Sequence, residues 1–275
     1  MPLLPAISPQ TTELNAGNAY WMARLAKEIY RCVPGEDGKP DDAAILASLK
    51  QDDPRFLSVE GVNNKSSQAA LIEHEDYYCL TFRGTDELAD WLDNLNVFSV
   101  EEPYGEFHSG FFNAVEDIWQ PLLSNLKSKR WHQPKPLMLT GHSLGGAMAS
   151  VATARLLEID IPFRSVYTFG QPRAMSEDTA EEFNYMCKDR YFRFHNNNDL
   201  VTRIPARLAG YSHVGTYLYI SDEKQIFENP GFWFRFMDYM DGAVDAIGEK
   251  GVDMIEDHSI DDYLSAVYHW DFTSD

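Results

Sequence analysis

The chain has 275 residues, 44% of them apolar and 13% aromatic, which is ample for a sizeable packed core. Its 43 acidic against 23 basic residues leave a formal charge of −20, a field that repels nucleic acid and anionic membrane surfaces and suits neutral substrates. The three cysteines, Cys32, Cys79 and Cys187, lie at no C-x-x-C or Cys/His spacing, so neither a disulfide framework nor a zinc site is indicated and buried free thiols are expected.

The N-terminus has no basic stretch leading into an apolar one, and no later run approaches the apolar length of a membrane span. A soluble chain without a transmembrane segment is expected, either cytoplasmic or secreted with its signal lacking from this sequence. In residues 19–31, Ala19, Met22, Leu25, Ala26, Ile29 and Tyr30 fall near helical spacing and predict a helix packed by one face. Residues 33–40, rich in Pro, Gly and charge, read as a loop, and Pro54 and Asn63-Asn64 read as further turns. Residues 69–74 and 77–82 are short β-rich runs separated by Glu75-Asp76, a hairpin feeding a central sheet.

Strands and helices then alternate: helix 112–126, strand 136–140, helix 143–157, strands 165–169 and 190–195, and a late strand 217–220. That alternation predicts a mostly parallel α/β sheet with crossover helices in one domain, residues 1–275. From Phe232 a helix-prone tail carries Trp233, Phe236, Met237 and Met240, a cluster whose aromatics are of the core type, and a last helix spans 260–267.

The strongest chemical signal is Gly141-His142-Ser143-Leu144-Gly145, between the apolar strand 136–140 and the small-residue run 147–154. It reads as strand, sharp turn, helix, the context in which a G-x-S-x-G turn presents a serine hydroxyl above a sheet. A serine hydroxyl is a weak nucleophile, so it needs a base within hydrogen-bond reach, itself oriented by an acid. On such sheets the chain order is serine, acid, histidine, with the partners on loops past strand ends. Asp199 follows strand 190–195 and three asparagines, so it meets the acid's condition, although an aspartate in an Asx-turn would look the same. Of the later histidines, His195 precedes the acid, His213 reads as a satisfied core residue, and His269 is near a fraying end. His258, beside the start of helix 260–267, is the expected base.

With these residues in place, the chain resembles the class 3 lipase family, the fungal triacylglycerol lipase type. The matching pieces are Phe82-Arg83-Gly84-Thr85, Asp90-Trp91, His108-Ser109-Gly110-Phe111, the elbow 141–146, Thr168-Phe169-Gly170-Gln171-Pro172-Arg173, 199–205 and Asp257-His258-Ser259. The resemblance implies an α/β-hydrolase fold with helices on both faces of the sheet and a short lid helix. It implies hydrolysis of carboxylic lipid esters by Ser143, Asp199 and His258, with no metal or organic cofactor. It implies an oxyanion hole from the N–H and hydroxyl of Thr85 and the N–H of Leu144, although Thr85 also fits an ordinary turn. It places a lid at 86–97, where Leu88, Trp91, Leu92 and Leu95 fall at i, i+3, i+4 and i+7 on one apolar face. A surface helix fixed in the core fits that stripe equally well. Gln171 and Arg173 are expected to serve strand-end architecture.

The partner expected is a neutral lipid or small ester, met at a transient lipid–water interface. The alternatives are a phospholipase or short-chain esterase with the same three residues, or a lipase-like binding protein without catalysis.

Overall fold

The computed structural model describes residues 4–94, 96–231 and 257–270. The tail residues Phe232, Trp233, Phe236, Met237 and Met240 and the stripe residue Leu95 lie outside the described residues.

The first helix, α1 (Ala16–Glu28), starts where the Asn15 side chain accepts the Asn18 N–H, three residues earlier than the apolar spacing suggests. Two elements for which the sequence predicts neither a helix nor a strand follow. They are α2 (Asp42–Asp52), capped by Asp41, and β1 (Phe56–Asn64), an edge strand antiparallel to its neighbour. Both carry weak patterns for a physical reason. Only Ile45 and Leu49 of α2 are buried, and β1 buries an irregular third of its positions.

The hairpin β2 (Ser67–His74) and β3 (Tyr78–Phe82) forms as expected, both strands buried along their whole length. The following α3 (Leu88–Asn94) leads to a pair of short strands, β4 (Ser99–Glu102) and β5 (Gly105–His108). The helix α4 (Ser109–His132) continues through Pro121, longer than 112–126. Proline cannot donate to the carbonyl four residues back, and here the Asn64 side chain donates to that Asp117 oxygen at 2.7 Å.

The remainder runs β6 (Leu137–His142), α5 (Leu144–Glu158), β7 (Ser165–Phe169), β8 (Met175–Ser176), α6 (Glu177–Cys187), β9 (Tyr191–Asn196), β10 (Tyr211–Ser212), β11 (Thr216–Ile220), β12 (Ile226–Glu228) and α7 (Ile260–Tyr268). An eight-stranded sheet has the order β1-β2-β3-β6-β7-β9-β11-β12, parallel from β3 through β11. The short strands β10-β8-β5-β4 make a second, antiparallel sheet of four, too brief for any pattern to predict. On one face of the large sheet α4 and α5 build a core around Phe111, Ile118, Leu139 and Met148. On the other, α1 and α7 pack together around Met22, Leu25, Phe169 and Tyr263. Cys79 and Cys187 are buried free thiols as expected, whereas Cys32 is free but partly exposed. Among the described residues no helix is long and apolar enough to cross a membrane.

Candidate active site

The strand β6 ends at His142 and α5 begins at Leu144, so Ser143 is the whole of the turn between them. Its backbone sits at φ 58° and ψ −131°, a region L-residues avoid at a cost of about 1–3 kcal/mol. The turn is possible because α5 lies against the loop after β3: a Cβ on Gly145 would stand 2.1 Å from the Phe82 carbonyl oxygen. The six residues Gly145 to Ser150 are all buried, which is why the helix is built from small side chains there.

The parallel strands β7 and β9 deliver the other groups at their carboxyl ends. Asp199 is fully buried in the turn after β9, where its Oδ1 accepts the Val201 N–H at 2.9 Å. The His258 Nδ1 lies 3.0 and 2.9 Å from the two Asp199 oxygens, and the Tyr263 hydroxyl of α7 donates to Oδ2 at 2.6 Å. Burial alone would push the Asp199 carboxyl up; the facing His258 and the bonds from His258 and Tyr263 outweigh it and hold the group below its ordinary value. A carboxylate in this position fixes Nδ1 as the protonated nitrogen and leaves Nε2 as a base.

The His258 loop is clamped from β9. Asn196 donates its side-chain amide to the Asp257 carbonyl at 2.8 Å, and the Asn198 N–H reaches the Asp257 carboxylate at 3.2 Å. At Gly170, φ +60°, a Cβ would lie 2.8 Å from His258 Cε1 and 2.9 Å from Asp199 Oδ2, so any side chain there would displace the pair. Ser143 Oγ and His258 Nε2 are both buried, and neither has a hydrogen-bond partner among the described residues. A ligand-free site commonly leaves this bond unformed until substrate is held.

Thr85 follows β3 beside the elbow, where a Cβ on the adjacent Gly84 would stand 3.1 Å from Ser143 Cβ. Its Oγ1 accepts the Glu87 N–H at 3.1 Å, the turn role; a hydroxyl used as acceptor keeps its one proton to donate, so the turn orients the donor. Leu144 is the first residue of α5, and its N–H has no partner within the helix. The Arg83 guanidinium holds this loop through the Gln68 side chain at 3.1 Å and an ion pair with Asp86.

Leu88, Trp91 and Leu92 are half-buried on α3, and the Trp91 ring lies 6.0 Å from that of Phe111. His213 is satisfied only in part: its Nε2 lies 2.6 Å from the Thr202 carbonyl, while its buried Nδ1 has no hydrogen-bond partner among the described residues. His269 is exposed at the end of α7, and His195 lies among Thr202, Tyr217 and Tyr219 rather than at Ser143. Gln171 accepts from Thr168 and Tyr191, and Arg173 donates to the Arg203 and Pro205 carbonyls, the architectural parts foreseen. Sequence reading gave no site role to Tyr263, to Gly170 or to the Asn196–Asp257 clamp, although Gly170 and Asp257 stand within the matching pieces. Of these only Gly170 carried a conformational signal, as the glycine between a buried strand and Gln171-Pro172.

The family described as Lipase (class 3) matches residues 79–209, which hold Ser143, Asp199 and Thr85 but not His258. The secreted mono- and diacylglycerol lipase 1 of Fusarium solani is 30% identical over 139 residues, 49% of this chain and 41% of that protein. The phospholipase A1-II 1 of Oryza sativa subsp. indica is 26% identical over 62% of this chain and 51% of its own length. The chain spans about half the length of the curated relatives it matches. The solved structure of the Rhizomucor miehei triacylglyceride lipase superposes with a TM-score of 0.62 at 21% identity, over 74% of this chain and 79% of that one. That likeness establishes the α/β-hydrolase fold, with its mostly parallel sheet and helices on both faces.

Proposed function

We propose that this chain, whose residues 79–209 match the class 3 lipase family, is a serine hydrolase that cleaves carboxylic esters of lipids through an acyl-enzyme on Ser143. Ser143 Oγ attacks the ester carbonyl while His258 Nε2 takes its proton, and the tetrahedral oxyanion is received by the N–H groups of Thr85 and Leu144 and the Thr85 hydroxyl. The imidazolium, stabilised by Asp199, returns the proton to the leaving alcohol as the intermediate collapses. Water, activated by the same nitrogen, then releases the acid and restores Ser143.

The observation that carries this reading is the Asp199–His258 pair at 2.9 Å, its far nitrogen and the Ser143 hydroxyl both buried without other partners among the described residues. In this reading residues 1–275 work as one domain, and 86–97 form a lid whose half-buried Leu88, Trp91 and Leu92 exchange contacts between the body and a lipid surface. The −20 charge favours neutral or zwitterionic surfaces. Mono-, di- and triacylglycerols are the substrates this reading favours. Phospholipid is a second, supported by the phospholipase A1 relative from rice. The test is release of fatty acid from emulsified acylglycerols, soluble short-chain esters and phosphatidylcholine, with Ser143→Ala beside the wild type. Faster turnover of acylglycerol, lost in Ser143→Ala, is expected. Hydrolysis of phosphatidylcholine alone would transfer the reading to a phospholipase, and no hydrolysis of any ester would overturn it.

A further inference from the structure

The ring of His142, the residue before the nucleophile, lies against the ring of His258 with centroids 4.5 Å apart. Its Nε2 is 2.7 Å from the His258 backbone oxygen, and since a carbonyl only accepts, Nε2 carries a proton. Its Nδ1 is 2.9 Å from the Tyr30 hydroxyl, just beyond α1. Burial, then repulsion from His258, pushes the His142 pKa down to about 3, so the ring is neutral and Nδ1 accepts from Tyr30. The same tyrosine oxygen packs against the backbone of Gly84. The fit there is close, for a Cβ on Gly84 would stand 2.2 Å from it. One chain of hydrogen bonds thus runs from Tyr30, which abuts the Thr85 loop, through His142 to the main chain of His258.

We propose that Tyr30 and His142 are positioning residues, which hold the His258 backbone in register with Ser143, with Tyr30 packed against the loop that supplies Thr85. The inference rests on Ser143, His258 and Asp199 being the catalytic set. Its physical content is that Asp199 fixes only the side-chain end of His258. Nε2 must meet both the Ser143 hydroxyl and the leaving oxygen, and a tilt of the backbone would move it away from one of them. The carbonyl bond from His142 removes that tilt. Neutrality matters as well, because a charged ring at this distance would oppose the imidazolium that forms on His258.

The experiment compares Tyr30→Phe, His142→Phe, His142→Gln and the double Tyr30→Phe/His142→Phe variant on one soluble ester, with kcat referred to the folded fraction. His142→Phe removes the donor and is expected to lower kcat by roughly 10- to 100-fold with KM nearly unchanged, the cost of a small misplacement. His142→Gln, whose amide reaches the same carbonyl, recovers most of the loss. Tyr30→Phe loses about 10-fold, and its loss does not multiply with that of His142→Phe because both cut one chain. The downfield proton resonance of His258 Nδ1–H shifts in His142→Phe and returns in His142→Gln. A lower melting temperature with unchanged kcat, or losses that multiply independently, would overturn the proposal and leave a structural histidine. Ser143→Ala run in parallel separates the two levels. If it retains turnover, the catalytic set fails and this inference with it; if it is inactive while His142→Phe is unimpaired, this inference alone fails.

Discussion

Asp199 takes hydrogen bonds from His258, Tyr263 and Val201 inside a fully buried pocket, whereas α3, a few residues past Thr85, is held by contacts of another kind. Its contacts with the body include the ion pair from Arg83 to an Asp86 that is 62% exposed and half-buried Trp91 against Phe111. A pair that open to water contributes about 0–1 kcal/mol, while breaking charged hydrogen bonds in a buried site costs several times more. The contrast separates two tasks. The groups proposed to move protons are held by buried hydrogen bonds, and the segment proposed to govern access makes apolar contacts, such as Trp91 on Phe111, that another apolar surface can replace.

The sharpest way to break that comparison is at its stiff end. Ser143→Ala should fold normally and lose ester hydrolysis by a factor on the order of 10⁶, with His258→Ala close behind, because the residues act as a unit. Turnover measured beside His213→Ala and His269→Ala checks the assignment, and a dead His269→Ala with an active His258→Ala would reverse it.

Asp199→Asn comes next, expected to keep the geometry and lose roughly 10⁴ in kcat, since an amide neither holds the Nδ1–H tautomer nor stabilises the imidazolium. Near-wild-type rates would move the acid's role elsewhere, with Asp222 the first candidate to test. Thr85 stands where the two regions meet. Thr85→Ala keeps the backbone N–H and loses the hydroxyl, so kcat should fall by up to about 10² to 10³ while KM hardly changes. A raised KM at constant kcat would instead make Thr85 a ground-state contact.

The smallest effect belongs to the loosely held region. Trp91→Ala should leave the rate on a monomeric ester within a few-fold of wild type. It should weaken any rise in specific rate as a medium-chain ester passes from solution to emulsion, because a lipid surface shifts the segment only through its differential affinity for the two positions. Identical smooth saturation in both proteins would make α3 a fixed wall of the site.

The same contrast decides what the sequence made legible. The strands β2, β3, β6, β7 and β9 are buried on both faces, so each stands out as an apolar run, and the helices between them complete a pattern that specifies the sheet. The elbow was readable because its chemistry needs a contiguous strand, turn and helix. The pairing of His258 with Asp199 was readable through chain order alone. Tyr30 and Tyr263 were not, because Tyr30 reaches the site from the turn just past α1 and Tyr263 from a face of α7, where spacing marks only burial. Their hydroxyls find His142 and Asp199 across 112 and 64 residues of chain. The turn role of Thr85 and its proposed donor role were read as alternatives, yet one hydroxyl can serve both, as acceptor to Glu87 and donor to an oxyanion. The edge strand β1 and α2 escaped because elements covering a sheet's rim need few buried positions.

The most direct test of the account is covalent labelling by a fluorophosphonate, followed by mapping of the modified peptide. The reagent reports on a serine only when a base has activated it, so it reads the proposed Ser143–His258–Asp199 set without assuming any natural substrate. The account predicts a single phosphonylated residue, Ser143, in the wild type, with labelling slowed by several orders of magnitude in His258→Ala. Label on another residue, or equally rapid labelling of Ser143 without the His258 imidazole, would contradict it.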